Sequence, residues 1–315
     1  MTEAGSLVVG EALIDVVRRA DGRVERHPGG SGANTALALA RLGRPTLLLT
    51  RWGDDEDGAL LREHLTASGV RLLRPPEDGH PTARAEAVLD RTGSAAYRFS
   101  LVWELAPLEV PPDVGLVHTS SIAAVRSPGA DRVLELLRGR REAATISYDP
   151  NIRPTMMGSR ETVRAQVAER VGLCDVVKVS EEDVAWLEPS ADPVEVVRDW
   201  SARGPALVVL TRGDRGSAAI AGGALVEADV TPATVVDTVG AGDSFMAALL
   251  DGLWELDLIG GHRRERLRRV GAGQVSELLR GAGRAAAVTV SRPGADPPVR
   301  ADLDGRPGTV PAPPT

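Results

Sequence analysis

Asp237-Thr238-Val239-Gly240-Ala241-Gly242-Asp243-Ser244-Phe245 is the most informative stretch of this sequence. It follows Val235-Val236 and leads into an apolar series that begins at Met246. This order predicts the end of a strand, a glycine turn and the N-terminus of a helix. Glycines let the backbone approach a ligand closely, and the first N–H groups of a helix have no partner inside the helix. The stretch therefore predicts an anion-binding turn.

Asp243 falls inside the first turn of this predicted helix, and its carboxyl has two open interpretations. It is either a favourable charge at the positive end of the helix dipole or a general base beside a site where negative charge gathers. In both cases we expect the helix N-terminus to depress the pKa of Asp243 and keep the carboxyl ionised at neutral pH.

A second glycine motif, Gly29-Gly30-Ser31-Gly32-Ala33-Asn34-Thr35-Ala36, opens another predicted helix. Asn34 falls in its first turn, where an amide both donates hydrogen bonds to a polyol and accepts them from it. The structural alternatives are a helix cap for Asn34 and a simple turn for Gly29-Gly30. The motif also resembles part of a hydrolase nucleophile elbow, Gly-x-Ser-x-Gly. However, Ala33 replaces the last glycine, and His27-Pro28-Gly29 before Ser31 are not predicted to be a strand, which argues against a hydrolase.

These two motifs, in this order and at this separation, resemble the signatures of the ribokinase (PfkB) family of carbohydrate kinases. The resemblance implies an α/β fold, a ribokinase-like three-layer αβα sandwich with a mostly parallel central sheet and a small β-sheet lid. It also implies transfer of the γ-phosphoryl group of ATP to a sugar hydroxyl, with Mg²⁺ and, in some members, K⁺. Gly10-Glu11-Ala12-Leu13-Ile14-Asp15 and Asp149-Pro150-Asn151-Ile152-Arg153 look most like fructokinases, which implies fructose 6-phosphate as the product. 2-Keto-3-deoxygluconate kinase, ribokinase and a non-catalytic regulator that binds nucleotide and sugar stay open as alternatives.

The resemblance implies roles for individual residues around a sugar. The anion hole and base would be Gly240, Ala241, Gly242 and Asp243. The sugar would be bound by Asp15, Gly29, Gly30, Asn34, Arg98 and Arg153. Asp15 interrupts an apolar run, where a buried carboxylate needs a partner or a ligand, and an edge strand that faces water is its alternative. The alternative for Arg98 is packing within the lid, and for Arg153 it is an ion pair with Asp149.

On the nucleotide side, the implied residues are Ser180, Thr211, Gly213, Gly216, Gly240 and Gly242. Asp183 is implied to reach Mg²⁺ through water, since Mg²⁺ prefers phosphates, waters and one or two carboxylates. A capping box at the start of the next helix is the alternative for Asp183. Asp237, the Val239 carbonyl and the Gly294 region are implied to hold K⁺. Neither a Gly-x-x-x-x-Gly-Lys-Ser/Thr string nor a complete Gly-x-Gly-x-x-Gly after a strand occurs, which disfavours P-loop ATPases and dinucleotide dehydrogenases.

The composition predicts an ordinary soluble, globular protein. The chain has 315 residues, 43% of them hydrophobic and 26% charged, with a formal net charge of -7. This charge provides no general basic field for nucleic acid or anionic membranes. Cys174 is the only cysteine, so no disulfide framework exists. The first nine residues lack the pattern of a signal peptide, and we predict a cytoplasmic protein, either a monomer or a homodimer.

The order of the predicted elements indicates one α/β domain with a small additional sheet. From residue 114 onward strands alternate with helices, which predicts a mostly parallel sheet covered on both faces. Hairpin patterns at residues 13–27 and around Asp90-Arg91-Thr92-Gly93 predict a smaller sheet. By the resemblance, residues 11–28 and 83–103 form the lid of a single kinase domain that spans residues 1–306. The proline-rich segment 307–315 is predicted to be disordered.

Overall fold

The computed structural model describes residues 5–18, 22–73, 79–89, 95–106 and 108–304. The predicted turn at Asp90-Arg91-Thr92-Gly93 and the predicted tail at 307–315 lie outside the described residues. The strands are β1 (Gly5–Val9), β2 (Leu13–Arg18), β3 (Val24–Gly29), β4 (Thr46–Leu49), β5 (Arg71–Leu73), β6 (Arg84–Leu89), β7 (Ala95–Ser100), β8 (Val114–Ser120), β9 (Thr145–Asp149), β10 (Val176–Ser180), β11 (Leu207–Thr211), β12 (Ser217–Ala221) and β13 (Ala224–Ala228). The helices are α1 (Ser31–Arg41), α2 (Glu56–Ala67), α3 (Ser121–Val125), α4 (Gly129–Arg140), α5 (Pro154–Met157), α6 (Arg160–Val171), α7 (Glu181–Leu187), α8 (Pro193–Ser201), α9 (Ala241–Glu255), α10 (Arg264–Leu267), α11 (Ala272–Val290) and α12 (Arg300–Leu303).

Nine of the described strands form one large sheet, in the order β13-β12-β11-β10-β9-β8-β1-β4-β5. The seven strands from β11 to β5 in that order pair in parallel, and β12 and β13 add an antiparallel edge. Every residue of β8 is buried, as expected for a parallel strand that is covered on both faces. The predicted mostly parallel sheet is therefore confirmed.

Two apolar cores lie on the two faces of this sheet, because side chains along a strand alternate between its faces. Val8 belongs to the core that includes residues of α1, α2, α9 and α11. Its neighbour Leu7 belongs to the core that includes residues of α3, α4, α6, α7 and α8. The result is the predicted three-layer αβα sandwich. Among the described helices, none is long and apolar enough to cross a membrane.

A second sheet has four described strands in the order β3-β2-β6-β7. Ile14 and Val16 of β2 are buried in the same core as Leu61 and Leu65 of α2, so one face of this sheet rests on the body of the protein. The predicted smaller sheet is confirmed, and β2 is an inner strand, not the edge strand that was the alternative for Asp15.

The strand β3 extends to Gly29, so the expectation that His27-Pro28-Gly29 is not a strand is wrong. The replacement of the last glycine by Ala33 therefore carries the argument against a hydrolase nucleophile elbow.

Val235 and Val236 do not end a strand, so this part of the prediction is wrong. Both side chains are exposed, at 64% and 59%. The backbone here turns toward the C-terminus of α11, where the N–H of Val236 donates to the carbonyl of Val290 at 2.7 Å. Hydrogen bonds to a helix end replace the strand pairing that two adjacent valines had indicated.

Candidate active site

The carboxyl ends of the parallel strands carry the candidate site, as expected for sheets of this type. Just beyond it, α9 begins after Gly240, which has a left-handed conformation with φ 75°. A Cβ at this position would also come within 2.7 Å of the Ala295 Cβ, so glycine is required for both reasons. The predicted glycine turn and helix start are thus present, with first-turn N–H groups available to an anion.

Asp243 joins this turn to the other glycine motif. Its Oδ1 accepts a hydrogen bond from the Ser31 hydroxyl at 2.8 Å, and its Oδ2 accepts one from the Asn34 amide at 2.9 Å. Both donors lie in the first turn of α1, and all three side chains are buried. Two motifs more than 200 residues apart in sequence therefore form one cleft.

The pKa of Asp243 is shifted in the opposite direction to the prediction. Burial raises it, and hydrogen bonds from Asn34 and Ser31 with the charges of Lys178 and Arg153 offset only part of that rise. The prediction considered only the helix dipole and not the loss of water around a buried carboxylate. The correction favours proton acceptance, since a higher pKa makes Asp243 a stronger base.

Asn151, which follows β9, and Ser121, the first residue of α3, support the contact between the two motifs. The Asn151 amide donates to the Ser31 hydroxyl at 2.9 Å, so Ser31 accepts one hydrogen bond while its own hydroxyl donates to Asp243. Asn151 has a left-handed backbone with φ 37°, and the Ser121 hydroxyl donates to its carbonyl at 2.9 Å. Strained backbone of this kind often marks a functional site.

Glu11 accepts a hydrogen bond from the first residue of α1. One carboxylate oxygen accepts from the Ser31 backbone N–H at 3.0 Å and the other from the Ala123 N–H at 3.4 Å. Burial raises the pKa of Glu11 to about 7, with a smaller contribution from the charge of Asp243. A Cβ at Gly30, where φ is 105°, would clash with the Glu11 carbonyl, so Gly30 is needed for the close approach of these segments.

The sugar-side residues separate into two groups. Asp15 lies against Gly29, and burial raises its pKa to about 6 against the opposing charges of His27 and Arg153. Asp15 therefore shares the cleft with Arg153. The strand register aligns Asp15 with Ala85 and Phe99, all on one face of the small sheet.

Arg98 lies on the other face of the small sheet. It pairs in register with Glu86, which pairs in turn with Val16, a residue of the face that rests on α2. Adjacent residues in a strand point to opposite faces, so Arg98 and Asp15 are on opposite faces of this sheet, and a contact of Arg98 with the sugar stays a prediction. Trp103, which follows the sheet, is buried and its indole N–H donates to the Ala123 carbonyl at 3.0 Å.

Lys178 is a residue of this region that the motif analysis missed. Its Nζ donates to Asp149 Oδ2 at 2.8 Å, and both side chains are buried. The ion pair of Asp149 is therefore with Lys178 and not with Arg153, whose guanidinium donates to the Ile152 carbonyl at 3.0 Å. A single charged residue in the apolar strand Val176-Val177-Lys178-Val179 was the available signal.

The nucleotide-side residues lie at adjacent strand ends. Ser180 and Thr211 are register partners at the ends of β10 and β11, and Gly213 and Gly216 bracket the turn that follows, with φ of 57° and 78°. The capping box that was the alternative for Asp183 is present. Its Oδ1 also accepts from the Ile152 N–H at 2.7 Å, and each carboxylate oxygen keeps a lone pair for water.

Asp237 connects the two other residues of the implied K⁺ site. Its Oδ1 accepts from the Val239 N–H at 3.0 Å and its Oδ2 from the Gly294 N–H at 2.9 Å. The hydrogen bond from Val239 is the main cause that lowers the pKa of Asp237, and the one from Gly294 adds to it. The Asp237 carboxylate therefore stays charged. The residues present are compatible with a monovalent cation near the turn that precedes α9.

Comparisons with known proteins agree with this geometry. A family model described as pfkB family carbohydrate kinase matches residues 4–302. A fructokinase from Klebsiella pneumoniae is 32% identical, over 78% of this chain and 83% of that protein. A fructokinase from Rhizobium leguminosarum bv. trifolii is 34% identical, over 78% and 79%. The crystal structure of a fructokinase with bound ATP from Xylella fastidiosa has a TM-score of 0.83 at 24% identity, covering 96% of this chain and 97% of that one, which establishes the shared fold.

Proposed function

Because this chain belongs to the pfkB family of carbohydrate kinases, we propose that it transfers the γ-phosphoryl group of ATP to the C6 hydroxyl of fructose. The observation that carries the proposal is the pair of hydrogen bonds from Ser31 and Asn34 to Asp243, which join the sugar-side and phosphate-side motifs in one cleft. Fructose as the acceptor is supported by two fructokinases above 30% identity. ATP as the donor is supported by the ATP-bound protein with the same fold.

In the proposed reaction the C6 oxygen attacks the γ-phosphorus as the bond to the bridging oxygen of ADP breaks. Asp243 accepts the hydroxyl proton, and the N–H groups of Gly240, Ala241 and Gly242 stabilise charge on the transferring group. Such a reaction depends on positioning and electrostatics more than on covalent help from the protein. The raised pKa of Asp243 suits a group that must take up a proton late in the reaction.

The sugar would lie between the lid and the first turn of α1, with Asp15, Gly29, Gly30, Asn34 and Arg153 around its hydroxyls. The charge of Arg153 lowers the pKa of both Asp15 and Asp243, which supports a shared pocket. Arg98 lies on the opposite face of the small sheet from Asp15, so we leave it out of the proposed pocket. We propose that residues 1–306 act as one kinase domain and that the small sheet is its lid.

Mg²⁺ would accompany ATP and supply charge neutralisation on the phosphates. Asp183 is the residue to hold it, through water, since its carboxylate oxygens each keep an unused lone pair. Ser180, Thr211, Gly213 and Gly216 would line the nucleotide side. Asp237, Val239 and Gly294 would hold K⁺.

The test is ATP turnover by the full chain with a panel of sugars, measured through coupled detection of ADP. We expect fructose to give the highest kcat/KM among fructose, ribose and 2-keto-3-deoxygluconate. A higher value for another sugar would reassign the substrate within the same family. Absence of ADP formation with all of them, despite ATP binding, would instead favour the non-catalytic regulator.

Asp243→Asn is the companion variant. It keeps the size and shape of the side chain and one hydrogen-bond acceptor, but it replaces the other carboxylate oxygen with an NH2 group and removes the group that takes up a proton. We expect kcat to fall by at least about a hundredfold, the lower end for a general base, with an unchanged unfolding temperature. Near-normal kcat would remove Asp243 from the role of base.

A further inference from the structure

The chain contains a single lysine among 37 lysine and arginine residues, and that lysine is Lys178. A protein that uses arginine at 36 positions keeps a lysine at one buried position beside its anion-binding turn. The two side chains differ physically, since an ammonium is compact whereas a guanidinium is a broad planar fork. The position of Lys178 therefore calls for a physical explanation.

Lys178 lies directly against the glycine turn. Its side chain is 4% exposed, and a Cβ placed on Gly242 would come within 3.0 Å of Nζ. The ammonium thus occupies the space that the missing side chain of Gly242 leaves free. Gly242 belongs to the first turn of α9, whose N–H groups form the proposed anion hole.

The ion pair between Lys178 and Asp149 is incompletely satisfied. Among the described residues, Asp149 Oδ2 is the only hydrogen-bond acceptor of the ammonium, which has three protons to donate. Asp149 Oδ1 is buried and makes no hydrogen bond in the described part of the chain. A buried ion pair costs much desolvation energy and often adds little stability, even when it is well bonded. Stability is therefore a poor reason for this pair.

The charges around the turn supply a better reason. Asp149, Asp183 and Asp243 all raise the pKa of Lys178, which places three carboxylates around one ammonium. Arg153 is the other cation that acts on Asp243. Glu11 adds a further carboxyl group near Asp243. Without Lys178, the phosphates of a nucleotide would approach a strongly negative site.

We propose that Lys178 is a positioning residue for phosphoryl transfer: from beneath Gly242 it supplies the positive charge that lets the anion hole hold the transferring phosphoryl group. This inference rests on the proposed kinase function. Lys178 acts through the glycine turn and through Asp243, and Asp149 serves to hold the ammonium in place. The role is electrostatic and grows with the negative charge that develops on the transferring group.

The test removes both charges together with Lys178→Met/Asp149→Asn. Lys178→Met alone would leave Asp149 as an uncompensated buried charge and destabilise the fold. The double variant keeps the side-chain volumes nearly unchanged, so we expect its unfolding temperature to be equal to that of the wild type or higher. We expect its kcat to fall by about a hundredfold, as when one anion-hole donor is removed, with KM for fructose changed less than about threefold.

A second readout separates the transition state from the ground state. Binding of ADP with aluminium fluoride, which mimics the transferring group, is expected to weaken by nearly the same factor as kcat. Binding of ADP alone is expected to weaken much less. Equal losses for the two ligands, or a kcat within about threefold of the wild type, would overturn the inference.

Arg264→Met/Asp175→Asn is the matched control. Asp175 is the residue just before β10, the strand that carries Lys178. It forms a nearly buried ion pair with Arg264 at 2.5 Å. Removing this pair is expected to change stability but not kcat. A loss of kcat similar to that of the first double variant would contradict an electrostatic role for Lys178.

Asp243→Asn, measured beside these variants, keeps the two proposals distinguishable. If Asp243→Asn is inactive and Lys178→Met/Asp149→Asn is fully active, only the role of Lys178 fails. If the wild type itself forms no ADP with any sugar, the proposed function fails first.

Discussion

Asp243 illustrates how one residue responds to competing physical effects. Its position in the first turn of α9 favours the charged form, but complete burial favours the neutral form, and burial is the larger effect. Ser31 and Asn34 donate to both of its oxygens and so limit the rise in pKa. The carboxyl is thereby held in one orientation, with a pKa above that of an exposed aspartate.

Ser31→Ala tests this arrangement. The variant removes the hydroxyl that donates to Asp243 Oδ1 and also leaves the Asn151 amide without its acceptor. A hydrogen bond to a charged group contributes about 1.5–3 kcal/mol, so we expect kcat to fall by about tenfold or more. Because the ionised form loses a donor, the acid limb of the pH–kcat profile is expected to move to higher pH.

Asn151→Gly provides the comparison for Ser31→Ala. Glycine tolerates the left-handed backbone at this position and removes only the side chain. If Asn151 acts through Ser31, the two substitutions together should cost hardly more than Ser31→Ala alone. Additive losses would show that Asn151 acts on the site independently of Ser31.

Among the elements, the small sheet shows what strand register decides. The patterns at residues 13–27 and around Asp90-Arg91-Thr92-Gly93 predicted two hairpins, but not the register within each hairpin or the way in which the two hairpins pair. The observed register aligns Asp15 with Ala85 and Phe99, and it turns Arg98 to the opposite face. A shift of one residue would exchange these faces, so no reading of single strands could have placed Arg98.

The attachment of this sheet to α2 depends on Asp57, which is almost fully buried. Its carboxylate forms ion pairs with Arg84 of β6 at 2.5 Å and with Arg26 of β3 at 3.6 Å. We expect Asp57→Asn to loosen the sheet, which hydrogen exchange would detect as faster exchange in β3 and β6. KM for the sugar should rise more than kcat falls, because the small sheet is proposed to cover the sugar.

Glu86→Gln is the control for that experiment. It removes an ion pair with Arg18 on the same sheet, where the Arg18 side chain is 50% exposed. Such exposed pairs contribute little to stability, so hydrogen exchange in β3 and β6 should stay as in the wild type. Equal effects of Asp57→Asn and Glu86→Gln would contradict the anchoring role of Asp57.

For the whole molecule, buried carboxyls predict how stability changes with pH. Burial raises the pKa of Glu11 to about 7, and those of Asp15 and Asp149 to about 6. The unfolded chain then releases these protons at lower pH than the folded protein does. The stabilising contribution of these groups is therefore fully present below about pH 4 and is lost as the pH rises to about 7. The groups with lowered pKa act in the opposite direction. Asp237 does so at lower pH, whereas buried His118, whose pKa burial lowers to about 3, offsets part of the fall up to about pH 6.5.

We therefore expect the unfolding temperature of the ligand-free protein to fall between pH 5 and pH 7.5. The contribution of each group is of the order of 1–3 kcal/mol. Asp15→Asn should make the pH dependence shallower, since the variant has no proton to release at this position. An unfolding temperature that rises over this range would contradict the raised pKa values.

Much of the fold and the family could be predicted from the sequence. The mostly parallel sheet covered on both faces, the smaller sheet and the two glycine turns followed from patterns that depend on neighbours along the chain: apolar periodicity, helix starts and glycine positions. The resemblance to a family implied the three-layer sandwich. The family signatures then indicated the chemistry, and the pfkB family match agrees.

The tertiary structure was needed wherever a property depends on segments far apart in the chain. Burial reversed the expected pKa shift of Asp243, strand register placed Arg98 on the face opposite Asp15, and Lys178 of β10 proved to lie against Gly242 of α9. The physical reason is the same in each case. Desolvation, charge interactions and strand pairing act through space, and the chain order does not state which distant residues become neighbours.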